Sequence, residues 1–184
     1  MAHITSIGAG LYSDLSISTD TVPVEASRDQ TNFDALFADA DFGTTAHRIT
    51  DVREFPAMGT PPNVVNVPVY GSATSQQIQG QADAPSMEIS LNYVASDWAA
   101  GTTLGDLVGD GLQHVFRFAL LNSEPGGAEN YASSLTGLGD VENSYYYWVG
   151  KLEALQVTPQ LTDANTATVT ITVQSDFYGA YTAV

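Results

Sequence analysis

Near the C-terminus, Val169, Ile171 and Val173 alternate strictly with Thr168, Thr170 and Thr172. Successive side chains of a strand point to opposite faces, so this patterning demands a sheet with one buried and one wet side. Threonine suits the wet side because it is a good strand former. The stretch 86–93 repeats the rule, with Met87, Ile89, Leu91 and Tyr93 on one face and Ser86, Glu88, Ser90 and Asn92 on the other. Between them, 112–121 (Phe116, Phe118 and Leu120 in alternation) and 145–157 read as two long strands joined by a glycine-rich connection, 122–140. Asp163, Ala164 and Asn165 sit where a hairpin turn is needed.

Two short helices are expected beside the strands. Phe33, Leu36, Phe37 and Ala40 follow the i, i+3, i+4, i+7 rule after Thr31 and Asn32, which can cap a helix start, and Gly43 can end it. The second covers 103–108, where Thr103 and Asp106 have the offset of a capping pair. The fold class expected is therefore mainly β, a sandwich or barrel with one or two short flanking helices. The 184 residues suit a single domain, 1–184, with an N-terminal segment 1–45 that carries a short helix.

The middle of the chain departs from this regularity. Pro56, Pro61 and Pro62 interrupt any ladder before an extended pattern resumes at Val64, Val65, Val67, Val69 and Tyr70, and Pro68 forbids a central strand there. The polar stretch 76–81 that follows has almost nothing to bury. Exposed valines on a long excursion, 57–79, are an aggregation liability for a monomer, which suggests a covering partner. A loop folded back over its own barrel is the alternative.

Twenty-one acids against five bases leave a net charge of −16, which opposes the gripping of nucleic acid or of anionic membranes. The chain has no cysteine, so thiolate chemistry and disulfides are excluded. No apolar run approaches the ~20 residues that span a bilayer, and the first residues lack a basic segment followed by an apolar one, so folding in the cytosol is expected.

No motif carries chemistry. His3, His47 and His114 lack the spacing of a helical metal pair, and His114 reads as a packed or hydrogen-bonded side chain. Gly8-Ala9-Gly10 lacks a following Lys-Ser/Thr pair, and no nucleophile elbow is present. Asp34, Asp39 and Asp41 read as a solvated flank rather than a calcium loop. In the run Tyr145-Tyr146-Tyr147-Trp148, neighbours must face opposite ways, so one pair is expected in the core and the other against a helix or a second subunit. No catalytic residue, cofactor or metal is expected. Two other classes stay open: a carbohydrate-binding or adhesion β-sandwich using Tyr and Trp, and an acidic hydrolase using paired carboxylates.

Taken in order, the pieces from 49 to 177 resemble the major tail tube protein of long-tailed, lambda-like siphophages. Residues 49–55 resemble the strand entering that family's stacking loop, 56–79 the loop, 87–94 the strand leaving it, 103–108 its helix, and 112–121, 145–157 and 167–174 its closing strands. The resemblance implies a structural subunit that self-assembles as stacked hexameric rings around a lumen through which DNA passes without specific binding. Its implied partners are copies of itself, a tape-measure protein, and tail terminator and distal tail proteins, with no membrane anchor. Its implied location is the virion tail, assembled in the host cytoplasm. Val64, Val65, Val67, Val69 and Tyr70 would then contact an adjacent ring, and Asp51, Glu54, Asp83 and Glu88 would face the lumen. Segments 29–41 and 122–140 depart from the family, and no role is assigned to them.

Overall fold

A computed structural model describes residues 12–38, 41–59, 64–68, 70–71, 76–79, 86–121 and 144–182. The strands, in chain order, are β1 (Tyr12–Ser18), β2 (Ala46–Ile49), β3 (Val52–Glu54), β4 (Val64–Val67), β5 (Gln76–Gln79), β6 (Ser86–Asn92), β7 (His114–Leu121), β8 (Ser144–Thr158), β9 (Thr166–Val173) and β10 (Tyr178–Thr182). Among the described residues, three short α-helices accompany them: α1 (Gln30–Ala35), α2 (Ala95–Trp98) and α3 (Thr103–Leu107).

Among the described residues, eight strands form one antiparallel sheet in the order β2-β1-β7-β8-β9-β6-β3, with β10 also on β8, while β4 and β5 pair only with each other. The 15-residue β8 organises the whole. Its first half pairs with β7, Gly150 against His114 through Ser144 against Leu120, and its second half pairs with β9 from Gly150 to Thr158. Gly150 lies at the crossing because a Cβ there would sit 2.8 Å from the Thr172 carbonyl oxygen. The sheet thus has two half-sheets, β2-β1-β7-β8-β10 and β8-β9-β6-β3, which share that strand.

Both half-sheets feed one apolar core. Leu15, Ile17, Phe116, Trp148 and Leu152 from the first meet Ile89, Leu91, Val169 and Ile171 from the second, with Trp98 and Leu104 of α2 and α3 at the margin. Trp148 stacks on Phe116 at 5.6 Å and meets Phe177 at 5.1 Å. A second core lies on the opposite face of the first half-sheet, where Phe33 and Phe37 cover Tyr147, Tyr145, Val115 and Val149. Phe33 stacks on Tyr147 at 5.1 Å. Segment 29–37 therefore lids the sheet, a role its sequence did not disclose.

The fold class is as read from the sequence: mainly β, antiparallel, with short helices. The tyrosine run divides as strand geometry requires, Tyr145 and Tyr147 to the second core and Tyr146 and Trp148 to the first. Their rings are packed rather than displayed as a sugar platform.

Several details differ. The first 45 residues hold more than a helix, since β1 is an interior strand hydrogen-bonded to both β2 and β7. Its pattern was hard to read because Asp14, Ser16 and Ser18, opposite Leu15 and Ile17, are buried as well. The single strand expected at 49–55 is broken by Asp51, which takes φ 57 between β2 and β3. Helix α1 is capped by Asp29, whose carboxylate accepts from the Asn32 amide, and it stops at Ala35, short of the expected stripe. Helix α3 starts at Thr103 as expected, but its cap is Thr102: the Thr102 hydroxyl accepts from the Gly105 amide while the Asp106 carboxylate accepts from the Gly101 amide. Residues 76–79, with little to bury, nonetheless form β5. Helix α2 was not anticipated.

Candidate functional site

The second half-sheet has one dry and one wet face. On β6, Met87, Ile89 and Leu91 point into the core, leaving Ser86, Glu88 and Ser90 exposed. On β9, Ala167, Val169, Ile171 and Val173 are buried and the intervening threonines are half-exposed. The register sets Glu88 opposite Thr170, Ser90 opposite Thr168 and Ser86 opposite Thr172, giving a flat field of hydroxyls with an acid in it.

Both borders of this field add charge. On β3 the register shifts between Val52 and Glu54, and Glu54 lies opposite Ser90. Arg53 and Glu54 together line a groove of about 430 Å³ with Ser90, Thr166 and Thr168. On β8, Glu153 follows core-facing Leu152 and so lies on the same wet face, where it accepts a 2.9 Å hydrogen bond from the Thr172 hydroxyl, and the register shift between Leu152 and Ala154 sets Ala154 opposite Thr170. Among the described residues, β3 and residues 154–158 of β8 each have a sheet neighbour on one side only. The half-sheet is thus an open four-strand strip with a wet, acid-bearing face.

The expected lumen acids separate accordingly. Glu54 and Glu88 share the wet face. Asp51 is exposed in the β2–β3 turn, where its carbonyl accepts from the Asn92 amide at 2.9 Å. Asp83 lies outside the described residues. Glu153 was not singled out, although its alternation with core-facing Leu152 already sets it on the opposite face.

The expected inter-ring residues lie on the β4–β5 ribbon and its connection. Val64, Val65 and Val67 pair with Gln79, Ile78 and Gln76. Val67 is half-buried, and Tyr70 is fully exposed in a turn completed by Gly71 at φ 85. Val69 lies outside the described residues, as does 122–140. A two-stranded ribbon is at best marginally stable alone in water, so this one is suited to packing against something else.

The remaining charged groups serve the scaffold. Asp14 pairs with Arg48 across β1 and β2 and accepts from the Ser16 hydroxyl. Arg117, buried on β7, rests its guanidinium over Phe37, Phe42 and Tyr145 at 4.7, 5.2 and 5.7 Å. The Tyr147 hydroxyl donates to Asp34, tying α1 to the sheet. Burial pushes that phenol well above the ordinary tyrosine range, with Arg117 opposing the shift and Asp34 adding to it. Burial also lowers His47, although its ring meets the Thr44 carbonyl at 3.1 Å. His114 is buried and bonded to Asp110 at 2.9 Å, as its place in a strand pattern suggested. No three His, Asp or Glu side chains converge as for a metal ion among the described residues. No helix among them is long and apolar enough to cross a membrane.

No protein-family model matches the chain, and no curated protein matches its sequence. Its fold does have a solved counterpart. The SPP1 tail tube, determined by solid-state NMR and cryo-EM, superposes with a TM-score of 0.52 at 10% identity, over 91% of this chain and 76% of that one. The architecture is thus a tail-tube fold.

Proposed function

We propose that the chain is a structural subunit of a phage tail tube, without catalytic function, that self-assembles as stacked hexameric rings. The observation that carries this reading is the open four-strand strip with a dry face, a wet face and two unpaired edges. Unpaired edges invite association, and a closed ring of identical subunits removes every one of them. The likeness in fold to the SPP1 tail tube supports it.

In this reading the wet face of β3, β6, β9 and β8 lines the lumen. Hydroxyls there keep the wall hydrated, and Glu54, Glu88 and Glu153 repel phosphates, so DNA passes without sticking. Screening falls off over about 8–10 Å at physiological salt, so acids near the wall dominate and the overall −16 matters less. The β4–β5 ribbon, with Val64, Val65, Val67, Val69 and Tyr70, reaches the adjacent ring. A tape-measure protein occupies the lumen before ejection, terminator and distal tail proteins end the tube, and assembly takes place in the host cytoplasm to form part of the virion tail.

Negative-stain microscopy of the concentrated protein tests this: rings or hollow tubes are the expected result. Persistent monomers, even with a tail-tip initiator present, would overturn it. Deleting 57–79 is expected to leave a folded domain that cannot elongate, and normal-length tubes from that deletion would remove the ribbon from the stacking contact.

A further inference from the structure

The two ends of the wet half-sheet give rise to different elements. Strand β6 starts at Ser86 opposite Thr172 and ends at Asn92 opposite Thr166, so the β8–β9 hairpin leaves the sheet at the Asn92 end. Strand β3 runs the other way, from Val52 opposite Leu91 to Glu54 opposite Ser90, and heads for the Ser86 end. The chain between Glu54 and Ser86, which includes the β4–β5 ribbon, therefore leaves and rejoins the sheet at that end. Ribbon and hairpin belong to opposite ends of one strip, the arrangement that a head-to-tail contact between copies requires.

Charge sets the same two elements apart. No charged residue falls between Glu54 and Asp83, nor between Glu153 and Asp163, in a chain of net charge −16. Copies of so acidic a chain repel where their acids meet, since like-charge juxtaposition across an interface is costly. Contact between ribbon and hairpin escapes that cost. Each element also displays an apolar side chain: Tyr70 beside Gly71, and Leu161 in the hairpin tip, with Val157 44% exposed nearer the sheet. Among the described residues, Tyr70 and Leu161 are the two most exposed large apolar side chains. Residues 156–165 are exposed throughout, so the hairpin stands clear of the domain. Its shape is nonetheless fixed. The Asn165 side-chain oxygen accepts from the Gln160 amide at 2.9 Å, and the Asn165 backbone carbonyl accepts from the Tyr93 amide at 2.8 Å. A tip held in this way has less freedom to lose on binding.

We propose that the β8–β9 hairpin tip, Leu161 with Val157, is the surface on which the β4–β5 ribbon of a second copy docks, Tyr70 against Leu161, in the next ring of the stack. Docking removes from water two apolar side chains that neither copy buries alone. The proposal rests on the tube reading and goes beyond it, because it names what receives the ribbon.

The chain has no cysteine, so introduced thiols report this contact alone. The full-length variant Y70C/L161C, treated after assembly with a short bismaleimide, is expected to give a covalent ladder on denaturing gels, whereas Y70C alone and L161C alone stay monomeric. Leu161→Asp supplies a second readout. It is expected to fold like the wild type by circular dichroism, because the side chain is fully exposed. Burying an unpaired carboxylate against an apolar side chain is costly, so this variant should form single rings but lower the yield of stacked tubes about tenfold or more. Leu161→Met should keep the wild-type yield. Should Y70C/L161C not assemble, the Leu161→Asp and Leu161→Met pair decides by itself. Normal-length tubes from Leu161→Asp, loss of its rings as well as its stacks, no ladder from assembled Y70C/L161C, or a ladder from either single variant would overturn the docking and leave the tube reading standing. A wild-type protein that forms no tubes overturns both.

Discussion

Residues 144–150 of β8 are enclosed and residues 151–158 are half-open. The first seven pair with β7 on one edge, with β10 on the other through Ser144, Tyr145 and Tyr147, and have apolar contacts on both faces. The second stretch pairs with β9, accepts the Gly109 amide on the Leu152 carbonyl at its other edge, buries Leu152 and half-buries Leu155, and leaves Glu153, Gln156 and Val157 exposed. One strand thus passes from the interior of a folded domain to the border of an unfinished sheet. The first half is held from both edges and both faces, whereas residues 154–158 have a sheet neighbour on one side only among the described residues.

Paired truncations at the two ends give the largest expected contrast. Trp148→Ala removes a fully buried indole that is stacked on Phe116 and should cost about 3–5 kcal/mol in urea denaturation of the monomer. Val157→Ala, at 44% exposure, should change the same measurement by less than about 0.5 kcal/mol. Equal costs at the two sites would mean that the second half is no border at all.

The lid over the enclosed half can be tested through one hydroxyl. Tyr147→Phe keeps the ring stacked on Phe33 but deletes its hydrogen bond to Asp34, and about 1 kcal/mol of stability should go with it. An unchanged denaturation midpoint would show that α1 is held by the aromatic stack alone.

The smallest effect concerns pH at the edge of the first half-sheet. Burial lowers the His47 pKa, so the folded state favours the neutral ring and the unfolded chain binds the proton more readily. Stability from this group is complete above the unfolded value of ~6.5 and declines as pH falls through it toward the lower folded value. Between about pH 7.5 and 5.5, His47→Gln should flatten the fall in melting temperature slightly relative to the wild type. An identical slope in the two proteins would show that His47 is not the group responsible.

Strands β6 and β9 were legible because their core-facing residues are apolar and their other neighbours polar, as in Ile89 beside Glu88 and Ile171 beside Thr170, whereas β7 and the first half of β8, apolar on both faces, were legible from their aromatic and β-branched content. Strand β1 was not, since Asp14 and Ser16 look solvent-facing in sequence and are in fact buried, with Arg48 across the strand from Asp14. Glu54 and Glu88 were picked out in advance through family resemblance. Glu153 was not, although it alternates with core-facing Leu152, because the strands that flank it are decided by long-range pairing.

Local chemistry alone determined the mainly β class, the alternating faces of the regular strands, the turn signals, and the charge imbalance that opposes a nucleic-acid grip. These depend on neighbours a few residues apart, where side-chain direction follows from backbone period. Tertiary structure alone decided that β8 serves two half-sheets, that segment 29–37 lids one of them, and that Arg53 and Glu153 stand at opposite borders of one wet face. Those facts depend on pairing between residues far apart in the chain, where the energetic choice lies in register and burial rather than in local preference.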